Sequence, residues 1–121
     1  MKDETQKPED LKVRTKKFAL RIIRLYSALP KDTVSQVLGK QLLRSGTSVG
    51  AHYREAFRAK SRADFISKME GALQELDETQ YWLELLGDSA AVPPVKLEPL
   101  LAETNEITAI FVTIVKSTKD R

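Results

Sequence analysis

Cysteine is absent from this chain and histidine occurs once, and each shortage removes a class of chemistry. Without cysteine there is neither a disulfide framework nor a thiolate ligand, and a zinc site built from Cys/His sets has only His52 to draw on. A di-iron bundle calls for paired Glu-x-x-His motifs, and none occurs. No Ser-His-Asp spacing and no phosphate-cradling glycine loop is present, because the five glycines do not follow a strand-turn-helix pattern. No apolar run approaches the roughly 20 residues of a membrane span, and the opening MKDETQKPED lacks the apolar stretch of a signal peptide. The reading that follows is a soluble, cytoplasmic, non-catalytic protein with no cofactor, no metal and no membrane contact.

What is present is helix. A chain of 121 residues, 41% hydrophobic and 31% charged, is the size of one domain with one core. Apolar residues recur at three- and four-residue spacing in four stretches, predicting helices over about 10–29, 33–58, 62–87 and 99–117, with 1–9 and 118–121 flexible. The first has Asp10 as N-cap and Leu11, Phe18, Ile22, Leu25 and Leu29 facing inward. The second is capped at Asp32 or Thr33 and places Val34, Leu38, Leu42, Ser45, Val49, His52 and Ala56 on its inner face, where His52 is expected as a buried, hydrogen-bonded imidazole. Gly39, Gly46 and Gly50 lie inside that helix at a cost of about 1 kcal/mol each relative to alanine. A close helix approach is the expected reason. Ser61 and Asp64 form a variant capping box for the third helix, Gly87 is its expected stop, and the proline-rich SAAVPPVKLEP leads to a fourth helix starting near Pro99. Short connections between four amphipathic helices make an all-α, antiparallel up-down-up-down bundle the most economical fold.

Charge is divided unevenly. Residues 1–68 carry 16 Lys/Arg against 7 Asp/Glu, whereas residues 69–121 carry 4 against 10, for an overall net charge of +3. Basic helices pairing with acidic ones account for this as readily as a polyanion-binding face does. The acidic row Glu70, Asp77 and Glu84 suits the first reading; its members are about 10 Å apart at 1.5 Å per residue, too far to share one cation. For the second, the candidates are the row Arg14, Lys17, Arg21 and Arg24 on helix one and the cluster Arg54, Arg58, Lys60 and Arg62 in the segment REAFRAKSRADF. Such groups contact phosphates without reading bases. Tyr81, Trp82 and Leu85 fall outside the expected core arc and are the candidates for a subunit interface, with base stacking the sharper and less favoured alternative.

The segment QLLRSGTSVGAHYREAFRAKSRADFISKMEGALQELDETQYWLELL resembles the small four-helix-bundle proteins encoded by intervening sequences of bacterial 23S rRNA genes. Arg44, Ser48, Val49, Glu55, Ser61 and Phe65 stand where that family's pattern has its arginine, small-residue stretch, glutamate, serine turn and aromatic. His52, Tyr53, Arg54 and Ala56 depart from its usual asparagine, aliphatic, small residue and glycine. The resemblance implies a homopentameric ring, so that five copies of a +3 chain carry +15. It also implies kinship with accessory variability determinant proteins of diversity-generating retroelements, which engage RNA and a reverse transcriptase. The function expected is an oligomeric nucleic-acid-binding or ribonucleoprotein accessory factor with RNA or DNA and a protein as partners; the alternative is a protein-interaction scaffold with no nucleic-acid role.

Overall fold

The computed structural model describes residues 8–121, which form four helices: α1 (Pro8–Ser27), α2 (Thr33–Phe57), α3 (Arg62–Asp88) and α4 (Pro94–Lys119). Among the described residues there is no strand. The expected flexible leader over 1–9 falls mostly outside the described residues.

Cross-helix contacts show the topology. Gly46 and Gly50 of α2 lie against Ile22 and Thr15 of α1, Thr79 of α3 donates its hydroxyl to Ser45 of α2 at 2.9 Å, and Gly87 of α3 faces Leu97 of α4. Further along, Gly71 of α3 lies against His52 of α2 and Glu70 of α3 meets Lys119 of α4, so in each pair the residue number rises on one helix as it falls on the other and successive helices run antiparallel. Phe18, Ile22, Leu42, Val49, Met69, Leu76, Leu83, Ile107 and Phe111 fill the space between them. At about 25 cal/mol per Å² of apolar surface removed from water, this shared core is what holds the four elements together.

The helix starts follow local chemistry. Asp32 caps α2 by accepting from the Ser35 N–H at 3.1 Å, and these hydrogen bonds hold its carboxyl below the ordinary value of 3.8. Ser61 caps α3 by accepting from the Asp64 N–H at 3.0 Å, while Asp64 accepts from the Lys60 N–H at 3.3 Å.

Several boundaries depart from expectation. α1 begins at Pro8, which needs no amide donor in a first turn, so Asp10 lies inside the helix and does not cap it. α4 begins at Pro94, five residues before the expected Pro99, which sits inside the helix. Proline at the first helical position is favourable; at Pro99 it removes one hydrogen bond to the Val95 carbonyl, and burial of Leu97 and Leu100 outweighs that loss. The far end of α4 reaches Lys119, and Thr118 is buried with its hydroxyl donated to the Ile114 carbonyl at 2.8 Å. Gly87 does not stop α3. The left-handed residue there is Ala90, with φ 64°, and Gly87 is small because a Cβ would lie 3.2 Å from Leu97 Cδ1.

The inner face of α2 keeps the expected Leu42, Ser45, Val49 and Ala56 but is turned in part from the expected one. Ser35, Gly39, Gly46, Gly50 and Tyr53 are buried as well, whereas Val34 is 56% exposed and Leu38 and His52 are half-buried. Glycine has no side chain to contribute to a hydrophobic arc, so an arc drawn through apolar residues leaves out the three glycines that face α1. His52 therefore lies on the flank towards α3. Its Nε2 is 3.6 Å from Glu75 Oε2, beyond hydrogen-bond length, and its Nδ1 has no partner among the described residues.

Candidate nucleic-acid interface

Antiparallel alternation brings the start of α1, the end of α2, the start of α3 and the end of α4 to one end of the bundle. Two contacts mark it: Lys12 Nζ of α1 lies 4.1 Å from the Phe57 ring centroid of α2, and Arg62 Nη1 of α3 donates to the Arg121 carbonyl at 2.7 Å. Arg54, Arg58, Lys60 and Arg62 are all exposed at this end. They share it because α2 ends at Phe57 and α3 restarts at Arg62, leaving one short basic turn between antiparallel helices. The side chains of Arg54, Arg58 and Lys60 form no ion pair with any described residue.

Several cations elsewhere are committed to the fold. Arg14 forks onto Glu103, with Nε donating to Oε2 at 2.8 Å and Nη2 to Oε1 at 2.7 Å, and it also reaches Glu106 Oε1 at 3.0 Å. The Glu103 hydrogen bond is the main reason the Arg14 guanidinium is held protonated above its ordinary range. The helix-one row therefore does not act as a unit: Arg14 is tied to α4, Arg21 is half-buried, and Lys17 and Arg24 are exposed. Arg44, at the edge of α2, pairs with Glu75 at 3.2 Å and with Glu78. The acidic partners of α2 are thus these two residues. Of the expected acidic row, Glu70 instead meets Lys119 of α4 at 3.1 Å. Glu55 and Lys68 approach to 3.9 Å.

The expected subunit-interface residues separate as well. Tyr81 is 54% exposed, but Trp82 packs against the core and buries an indole Nε1 that has no partner among the described residues; Leu85 is half-buried. The Tyr81 and Trp82 rings lie 5.1 Å apart. A second exposed apolar strip comprises Val13, Leu20 and Ile23 of α1; Ile23 widens the apolar arc of that helix in the sequence, whereas Val13 and Leu20 carry no such signal. Phe57 and Lys12 were likewise not singled out. The signal available was an aromatic directly between Arg54 and Arg58, but its pairing with Lys12 depends on tertiary packing.

Among the described residues no group of three or more His, Cys, Asp and Glu is placed to hold a metal, and no helix is long and apolar enough to cross a membrane. The class defined by these features is an all-helical four-helix bundle with a cationic end. Residues 9–113 match the 23S rRNA-intervening sequence proteins, and the chain belongs to that family. A solved structure, that of a protein of unknown function from the S23 ribosomal protein family of Bacteroides thetaiotaomicron, is 42% identical. It aligns with a TM-score of 0.84 over 90% of this chain and 97% of that one. No curated protein matches the chain.

Proposed function

We propose that this protein is a non-catalytic, oligomeric nucleic-acid-binding factor of the cytoplasm that grips phosphates through its cationic end. The observation that carries the reading is the exposure of Arg54, Arg58, Lys60 and Arg62 together on one end, with three of these side chains unpaired among the described residues. A cation whose charge is not spent within the fold is available to release counterions from a polyanion. Lys17 and Arg24 extend the surface along α1, whereas Arg14 is engaged by Glu103 and contributes little. Assembly as a homopentamer, implied by the family resemblance, would repeat the cationic end around a ring and strengthen its field. A reverse transcriptase or another protein is the further partner that the resemblance suggests.

Binding of the purified protein to RNA and to DNA at two salt concentrations tests this. The expected result is a log-log slope near −0.9 per phosphate contacted on duplex DNA, or about −0.7 on single strands. Replacing Arg54, Arg58, Lys60 and Arg62 together by glutamine abolishes binding and leaves the mass in solution unchanged. Absence of binding at low salt overturns the reading. The second reading, a protein-interaction scaffold, is favoured by exposed Tyr81 and the Val13, Leu20 and Ile23 strip; a multimer that ignores nucleic acid is its signature.

A further inference from the structure

Phe57 is 48% exposed in the last turn of α2, although a buried phenyl contributes about 1.5–3 kcal/mol. Its surroundings are cationic. Arg54 precedes it by one turn, Arg58 follows it and Lys60 lies in the adjoining turn, all exposed, while the Lys12 ammonium stands over one face of the ring. The other aromatic left open by the fold, Tyr81, is 54% exposed but shares its helix face with the exposed Asp77 and Glu84, whose charges repel a polyanion. Exposed aromatic surface and unspent positive charge therefore coincide at Phe57.

That coincidence has a chemical consequence. Duplex nucleic acid offers phosphates on its outside and keeps its bases stacked within, so an aromatic ring finds a base face there only where a step is unstacked at a cost of a few kcal/mol. An unpaired base presents a free π-face, which an aromatic side chain accepts whatever the sequence, provided that cations hold the flanking phosphates. Resting on the nucleic-acid reading above, we infer that the cationic end selects single-stranded nucleic acid, with an unpaired base stacked on Phe57 and the adjacent phosphates held by Arg54, Arg58 and Lys60. With Lys12 over the ring, about half of Phe57 stays exposed, and the ammonium adds a cation beside the stacked base.

A labelled single-stranded oligonucleotide without self-complementarity and the duplex of the same sequence and length, titrated at the same salt, test the inference. The wild-type protein binds the single strand more tightly. Phe57→Leu keeps the bulk and apolarity of the residue but removes the π-face, and it weakens single-strand binding roughly 5- to 100-fold while leaving duplex binding and the mass in solution unchanged. Phe57→Tyr retains the preference. Equal weakening of single strand and duplex, a wild-type preference for duplex, or a change of mass in Phe57→Leu overturns the inference, the last by making Phe57 an assembly residue. Absence of binding to either probe by the wild type instead overturns the nucleic-acid reading itself.

Discussion

At the residue scale, the glycines of α2 do more than any other side-chain choice to set how closely α1 and α2 approach. A Cβ added at Gly46 would stand 2.7 Å from Ile22 Cγ1, and one at Gly50 would stand 3.1 Å from Thr15 Oγ1. Ile22 and Thr15 are both fully buried, but the contact at Gly46 is the closer of the two and the neighbour at Gly50 need give by only a few tenths of an ångström. Alanine's helix propensity recovers about 1 kcal/mol at either site, against an overpacking cost of about 1–3 kcal/mol. Gly46→Ala is therefore expected to destabilise the fold by about 1–2 kcal/mol, and Gly50→Ala by less, as read from urea midpoints. Equal midpoints for Gly46→Ala and the parent would mean that α1 moves freely off α2. The sequence signalled that these glycines need a packing reason; that their faces point to α1 was hidden, because an apolar pattern is silent where there is no side chain.

At the scale of elements, the bundle is unevenly closed. α2 packs broadly on α3, and α1 on α2, whereas α1 and α4 approach less closely and, besides the shared core, are joined by the Arg14 fork onto Glu103 and Glu106. The side chains of Arg14 and Glu103 are 18% and 17% exposed, so the pair is partly desolvated and truncating one member leaves the other poorly solvated. A double-mutant cycle with Arg14→Ala and Glu103→Ala should return a coupling of about 1–2 kcal/mol, above the usual range for exposed pairs. A coupling near zero would mean that the seam is held by apolar contact alone. Helix number, order and the caps at Asp32 and Ser61 were legible from spacing and capping chemistry, which are local. The start of α4 was not, because the tolerance of Pro99 depends on Leu97 and Leu100 finding a core.

At the scale of the whole molecule, alternation of the helices gathers the α2–α3 turn, the start of α1 and the end of α4 at one end, while exposed apolar side chains lie along the flanks. The α2–α3 turn and the Tyr81 flank are separable, whereas the Val13, Leu20 and Ile23 strip shares α1 with the exposed Lys17 and Arg24. Tyr81→Glu places a charge on the most exposed aromatic of α3 and, if that flank joins copies of the chain, lowers the mass in solution to that of a single chain with helical content retained. An unchanged mass would move the interface to the Val13, Leu20 and Ile23 strip of α1. From composition and spacing alone, the sequence determined an all-helical bundle, a lack of the usual catalytic and metal-binding motifs, and a basic turn between helices two and three. Only the tertiary structure decided which cations are spent, because Arg14 and Glu103 are far apart in the chain and meet when α4 folds back on α1. It alone also decided that Lys12 stands over Phe57. A residue's type and local spacing report the face it prefers, but whether its charge is neutralised or its ring covered depends on neighbours that the chain supplies only after it has folded.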